Sequence, residues 1–230
     1  MTVLVGCAHG TREPAGQSVI RDVLKSVTEA VGIEVREAYV DVQEPHVKDV
    51  VARLVGAGES VVVVPLLLAG GYHVYVDIAK AVAGHPGAAA APALGPDRRL
   101  IDIVLDRASD AGVPRGATVV LAAAGSSDPR SQADTEAAAE MLRARWRGPV
   151  RVGYAAGIAP TVADAVTSAR ANGEDEVVAV ASFLLAPGTF QARLEDSGAD
   201  FVTAPLAPDP RIIEIIADRF RAAAEALEGS

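Results

Sequence analysis

An internal repeat limits the possible folds of this chain more than any other feature of its sequence. The segment AHGTREP at residues 8–14 matches AAGSSDP 115 positions later, and AYVDVQEP at residues 38–45 matches GYAAGIAP at the same separation. LLLAGGYH at residues 66–73 matches FLLAPGTF at residues 183–190, and PDRRLIDIVLDR at residues 96–107 matches PDPRIIEIIADR at residues 208–219. Four matches in the same order predict two similar lobes, residues 1–113 and residues 114–230.

Short apolar runs alternate with longer segments of helical periodicity within each half. Residues 2–8 (TVLVGCA) have the length and composition of a buried strand, and residues 60–68 form the continuous apolar run typical of a central parallel strand. This order of strand and helix predicts an α/β fold in which each lobe has a four-stranded parallel sheet flanked by helices. We expect the two lobes to face each other across a cleft.

The charge and composition of the chain exclude several classes of partner. The 21 Lys and Arg residues are outnumbered by 30 Asp and Glu residues, for a formal net charge of −9. This balance argues against binding to nucleic acid or to an anionic membrane surface. The longest apolar run is interrupted by Pro65 and is too short to span a membrane, and a single cysteine excludes an intrachain disulfide. We therefore expect a cytoplasmic protein.

Four titratable residues of the first half follow predicted strands. His9 comes directly after the first strand, Asp41 and Glu44 come at the end of the second, and His73 comes just after the third. Ligands of parallel α/β sheets bind at the carboxyl ends of the strands, where these residues are expected to converge. Two imidazoles and a carboxylate suit a divalent transition metal. His9, Asp41, Glu44 and His73 are therefore the candidate metal-binding residues.

The repeat indicates that only one half carries this chemistry. The positions equivalent to His9, Asp41 and His73 in the second half are Ala124, Ala156 and Phe190, which cannot bind a metal or transfer a proton. Gly10, in contrast, has a glycine partner at Gly125. The residues that are kept in both halves are therefore interpreted as structural.

Four segments resemble the sirohydrochlorin chelatase family: AHGTREPAGQ, VDVQEP, VVPLLLAGGYHVYVDI and PALGPDRRL. Members of this ATP-independent class, related to ferrochelatase, insert Fe²⁺ or Co²⁺ into a precorrin-derived tetrapyrrole. The resemblance implies that His9 and His73 are catalytic and that Asp41 occupies the position of the family's acidic residue, usually Glu, with Glu44 as a second candidate. It also implies that residues 1–113 are the catalytic lobe and residues 114–230 a degenerate repeat.

The resemblance implies sirohydrochlorin, or a related tetrapyrrole, and a divalent metal as the substrates. Fe²⁺ is the expected metal, with Co²⁺ or Ni²⁺ as alternatives, and the product would enter siroheme or cobalamin synthesis. No nucleotide cofactor is expected, because GxxxxGK[ST] and GxGxxG are both absent. We expect Arg12, Gly71 and Tyr72 to contact the tetrapyrrole, whose carboxylates need a local cation.

Two other functions are compatible with the same residues. A carrier would bind the metal or the tetrapyrrole without catalysing insertion, and an insertion assay separates it from an enzyme. A histidine phosphatase-like hydrolase is the second alternative, because HG is followed closely by an arginine. In those enzymes, however, an arginine precedes the histidine, whereas Ala8 precedes His9 here.

Overall fold

Two parallel β-sheets form the framework of the protein, as the alternating pattern predicts. The computed structural model describes residues 2–171 and 177–229. The first sheet has the strand order β2-β1-β3-β4, and the second has the equivalent order β6-β5-β7-β8. The strands are β1 (Thr2–Ala8), β2 (Val35–Tyr39), β3 (Ser60–Pro65), β4 (Ala88–Ala90), β5 (Thr118–Ala123), β6 (Val150–Tyr154), β7 (Val178–Phe183) and β8 (Phe201–Val202). The predicted fold class, two similar α/β lobes with four-stranded parallel sheets, is confirmed.

Helices connect the successive strands, as parallel strands need crossover connections. They are α1 (Pro14–Val31), α2 (Val47–Gly56), α3 (Ala79–Val82), α4 (Arg98–Asp110), α5 (Pro129–Arg143), α6 (Val162–Ala171), α7 (Thr189–Glu195) and α8 (Pro210–Glu228). A π-helical segment, His73–Ile78, runs directly into α3. No helix within residues 2–171 and 177–229 is both long and apolar enough to cross a membrane.

The sequence contains clear start signals for the longer helices. Three of them begin after an aspartate whose carboxylate accepts the backbone N–H two residues later: Asp97 for α4, Asp128 for α5 and Asp209 for α8. This cap satisfies one of the free N–H groups of the first turn. Helices α1, α5 and α8 also begin with proline, whose fixed φ suits the first turn.

The core of each half lies between the central strands and the helices that cover them. Strands β1 and β3 are buried on both faces, as the continuous apolar run at residues 60–68 predicts. One face of the first sheet is covered by the apolar stripe of α2, formed by Val47, Val50, Val51 and Leu54. Few aromatic residues are available, so the core consists mainly of Val, Leu, Ile and Ala.

The chain divides into two compact units whose boundaries differ from the expected halves 1–113 and 114–230. Unit 1 comprises Met1–Leu94 and Pro208–Ser230, and unit 2 comprises Gly95–Ala207. The difference arises because each half contributes its last helix to the sheet of the other half. Helix α8 packs on α1, β3 and β4 of the first sheet, whereas α4 packs on α5 and β7 of the second.

Equivalent arginines hold the two exchanged helices. Arg219 of α8 donates hydrogen bonds to the carbonyl oxygens of Ala93 and Leu94, at 3.0 and 3.1 Å. Arg107 of α4 makes the same pair of bonds to Pro205 and Leu206, each at 3.2 Å. In both units the arginine therefore anchors its helix to the segment that follows the edge strand.

Candidate active site

Two histidines from separate loops of unit 1 lie side by side. His9 follows the carboxyl end of β1, and His73 begins the π-helical segment that comes after β3. Their ring centroids are 4.7 Å apart, and the ring planes are inclined by 88°. Strands β1 and β3 are neighbours in the sheet, which explains why residues 64 positions apart in the sequence meet at one sheet edge. We call His9 and His73 the imidazole pair.

The loop that carries His9 lies against the loop that carries Asp41. The backbone N–H of Asp41 donates to the carbonyl oxygen of His9 at 3.1 Å, and the N–H of Thr11 donates to the Oε1 of Gln43 at 2.7 Å. Gly10 makes this approach possible. It has a φ of 96°, and a Cβ at this position would clash with the Asp41 carbonyl oxygen.

The two acidic candidates follow β2, the sheet neighbour of β1, but their carboxylates bond to other groups. The Oδ1 of Asp41 accepts the N–H of Val42 at 2.8 Å. Glu44, whose side chain is 75% exposed, pairs with the Nε2 of His46 at 3.0 Å. In the described ranges, no group of three or more His, Cys, Asp or Glu side chains is arranged to hold a metal ion. The structure therefore brings His9 and His73 together without adding Asp41 or Glu44 as a third ligand.

Asp77 is a site residue that the sequence analysis missed. The Nδ1 of His73 lies 2.7 Å from the Oδ2 of Asp77, and both side chains are about one-third exposed, at 34% and 33%. An ionised carboxylate can only accept, so this hydrogen bond places a proton on Nδ1. In the neutral imidazole, Nε2 then carries the lone pair that can bind a cation or a proton. The available signal was an aspartate four residues after the histidine on a helical segment, where side chains at that spacing share a face.

The predicted tetrapyrrole contacts occupy different positions around the pair. The Tyr72 ring packs edge-on against the His73 ring, with centroids 5.9 Å apart, and the residue is 53% exposed. Gly71 is buried, and its carbonyl oxygen accepts the N–H groups of Val74 and Tyr75, at 3.1 and 3.0 Å. Gly71 therefore contributes backbone structure to the start of the π-helical segment. Arg12 is exposed in the loop between β1 and α1.

Cys7 lies two residues before His9 but has a different environment. Burial raises the pKa of its thiol far above the usual range, and the negative charge of Asp77 raises it further. A thiol in this state is neutral, and only the thiolate is an effective metal ligand. Cys7 therefore packs as a small apolar residue of β1.

In unit 2, the equivalents of His9 and His73 are Ala124 and Phe190. Both are partly buried and pack against the hydrophobic cluster that includes residues of β5, α6 and β7. The guanidinium of Arg193 lies 5.7 Å from the centroid of the Phe190 ring. The second half thus uses these positions for packing, in agreement with the absence of titratable residues there.

The sequence profile of the CbiX family matches residues 3–111 and 118–223. A search among curated protein sequences found no significant match.

Three solved structures share the fold of this chain. SirB from Bacillus subtilis with Fe³⁺ superposes with a TM-score of 0.81 at 21% identity, covering 100% of this chain and 98% of the other. The sirohydrochlorin chelatase SirB from Bacillus subtilis subspecies spizizenii in complex with cobalt gives 0.78 at 20% identity, with 100% and 97% covered. CbiX, described as the terminal enzyme of siroheme biosynthesis in denitrifying bacteria, gives 0.68 at 20% identity, with 97% and 99% covered.

Proposed function

This chain belongs to the CbiX family, and on that basis we propose that it inserts a divalent metal ion into sirohydrochlorin. The observation that carries the proposal is the imidazole pair, whose rings are 4.7 Å apart at the carboxyl edge of the first sheet. Ligands of parallel α/β sheets bind at this edge. The metal-bound state of the two SirB structures also supports the proposal.

Metal insertion sets two chemical tasks that the pair can perform. The tetrapyrrole must lose two pyrrole protons, and the cation must exchange its water for pyrrole nitrogens. A neutral imidazole can accept a proton or bind a divalent cation near neutral pH. We assign these two tasks to His9 and His73 together. The hydrogen bond from Nδ1 to Asp77 directs the Nε2 of His73 toward this role.

We propose Asp41 as the carboxylate that offsets the charge of the incoming cation. Its backbone is already bonded to the His9 carbonyl oxygen, and its Oδ1 accepts the adjacent Val42 N–H. Rotation about its side-chain bonds would release that carboxylate to a cation. Glu44 is the second candidate, since its side chain is mostly exposed and it pairs with its near neighbour His46.

We propose Fe²⁺ as the metal and Co²⁺ or Ni²⁺ as the alternatives. Imidazole and carboxylate groups bind all three ions, in the order Fe²⁺ below Co²⁺ below Ni²⁺. The reaction needs no nucleotide in this proposal, because binding alone can strip water from the cation and distort the ring. Arg12, exposed in the loop that follows β1, is proposed as a contact for a peripheral carboxylate, and Tyr72 as a contact for the ring.

The test is the absorbance change of sirohydrochlorin on metal insertion, followed with each metal in turn. We expect wild-type protein to accelerate insertion, and His9→Ala and His73→Ala to remove the acceleration without unfolding the protein. His85→Ala is the matched control, because His85 lies beyond α3 and is not part of the pair. Equal rates with and without wild-type protein would refute the proposal. Binding of both substrates without acceleration would instead identify a carrier.

A further inference from the structure

Val42 has an unusual backbone conformation. Its φ is 61°, and among residues 2–171 and 177–229 it is the one residue other than glycine with a positive φ. Positive φ is costly for a β-branched side chain, so a valine here is a genuine outlier. The side chain is also 43% exposed, which makes it one of three exposed large hydrophobic residues in the described chain.

The conformation belongs to a three-residue turn. The N–H of Gln43 donates to the carbonyl oxygen of Asp41 at 2.6 Å, a bond across two residues that together with positive φ is typical of a strained γ-turn. The second half builds the same turn, in which the N–H of Ile158 donates to the carbonyl oxygen of Ala156 at 3.0 Å. There the central residue is Gly157, with a φ of 80°.

A comparison of the two halves shows whether the turn itself requires a side chain at its central position. Glycine adopts positive φ at no steric cost, so Gly157 shows that the turn itself requires no side chain. Valine occupies the central position only in the half that has the imidazole pair. Strained residues are concentrated at functional sites, where the surrounding structure holds them in place.

The position of the turn indicates what the side chain contacts. Asp41, the residue before Val42, is hydrogen-bonded to the His9 backbone. The other two exposed large hydrophobic residues, Tyr72 and Tyr75, flank His73 in the sequence. Val42 therefore belongs to the loop that lies against the His9 loop, and the two tyrosines belong to the segment that carries His73. An apolar surface next to two metal-binding imidazoles suits the flat, apolar face of a macrocycle.

We propose that the Val42 side chain is a substrate contact that packs against the tetrapyrrole ring. This inference rests on the proposed function. Valine has few rotamers, so little side-chain freedom is lost when the ring packs against it. The γ-turn presents the side chain at the surface, where it contributes little to the hydrophobic core.

The test measures ring affinity and stability in the same variants. Val42→Gly removes the contact and the strain together, whereas Val42→Thr keeps the shape and the strain but replaces one methyl group with a hydroxyl. We expect the dissociation constant of metal-free sirohydrochlorin, measured by absorbance titration, to rise about fivefold for Val42→Gly and about threefold for Val42→Thr. The unfolding midpoint of Val42→Gly should equal or exceed that of the wild type.

Gly157→Ala is the matched control, because it introduces strain into the equivalent turn of unit 2. It should lower the unfolding midpoint and leave the dissociation constant unchanged. An unchanged dissociation constant in Val42→Gly would overturn the inference. Wild-type protein that binds the ring without inserting metal would refute the proposed function alone, and the affinity change in Val42→Gly would still support the contact. Absence of ring binding by the wild type would overturn both.

Discussion

Replacement of Asp77 tests whether the orientation of His73 matters for metal insertion. The relevant variants are Asp77→Ala, which removes the acceptor, and Asp77→Asn, which keeps an acceptor oxygen but removes the charge. In the wild type, the His73 Nδ1 and the Asp77 Oδ2 are 2.7 Å apart. Without this bond, the ring can rotate and can place its proton on Nε2, the atom that we propose binds the metal.

The expected effect follows from the exposure of the pair. A hydrogen bond to a charged group contributes about 1.5–3 kcal/mol when buried, and contact with solvent lowers this contribution. Both side chains are about one-third exposed, so we take a value near the lower limit, about 1.4 kcal/mol, which is a factor of about ten. Loss of a partner that orients a metal-binding histidine reduces affinity or activity by about 10- to 100-fold, in agreement with this value.

The assay is the initial rate of metal insertion at saturating sirohydrochlorin and varied metal concentration. We expect kcat/KM for the metal to fall about tenfold in Asp77→Ala and less in Asp77→Asn, because the amide oxygen can still accept the Nδ1–H. The KM for the tetrapyrrole, measured separately at saturating metal, should stay unchanged. Asp22→Asn, an exposed position on α1, removes the same charge from unit 1 and serves as the control. Wild-type kinetics in both Asp77 variants would refute the positioning role.

Three further predictions concern stability, and urea unfolding measures each of them. Gly10→Ala should lower the free energy of unfolding by about 2 kcal/mol or more, because alanine at a φ of 96° is strained and its Cβ would clash with the Asp41 carbonyl oxygen. An unchanged unfolding midpoint would contradict this prediction. The pKa of Cys7 is raised in the folded protein, so above pH 9.0, the usual thiol pKa, the unfolded chain loses this proton while the folded protein keeps it. The free energy of unfolding should therefore fall above this pH, by up to about 1.4 kcal/mol per pH unit. Cys7→Ala should lack this loss, and an identical pH dependence in the two proteins would refute it. Arg219→Met should lower the free energy of unfolding by about 2–3 kcal/mol, because it breaks two hydrogen bonds that anchor α8. Arg221→Met is the control, because it removes only an exposed ion pair and should have little effect on the free energy of unfolding.

The sequence was sufficient to predict the architecture of each sheet and the place of the imidazole pair. Continuous apolar runs between helical segments indicated parallel strands, and parallel strands bring their carboxyl ends to one edge. His9 and His73 follow two such strands, so their proximity follows from the topology. The repeat also distinguished Gly10, which is kept for the backbone, from the histidines, which occur in one half only.

The hydrogen-bond partners of the side chains at the site could not be predicted from the spacing of residues in the sequence. Asp41 follows a strand as predicted, yet its carboxylate accepts the N–H of the adjacent Val42, a local bond that strand position does not reveal. Asp77 was overlooked because a His-to-Asp spacing of four is common on helices. Only the fold places this particular histidine at the sheet edge, where its orientation matters.

The sequence by itself determined that the chain forms two similar α/β halves, since strand and helix periodicities are local properties of the chain. Only the tertiary structure decided which sheet is covered by the last helix of each half, α4 and α8. Helices α4 and α8 have similar sequences, and the sheets that they cover are themselves repeats, so either helix could in principle pack on either sheet. Packing and the hydrogen bonds of Arg107 and Arg219 fix the exchanged arrangement. These contacts join residues about 100 or more positions apart in the chain, so local sequence patterns do not reveal them.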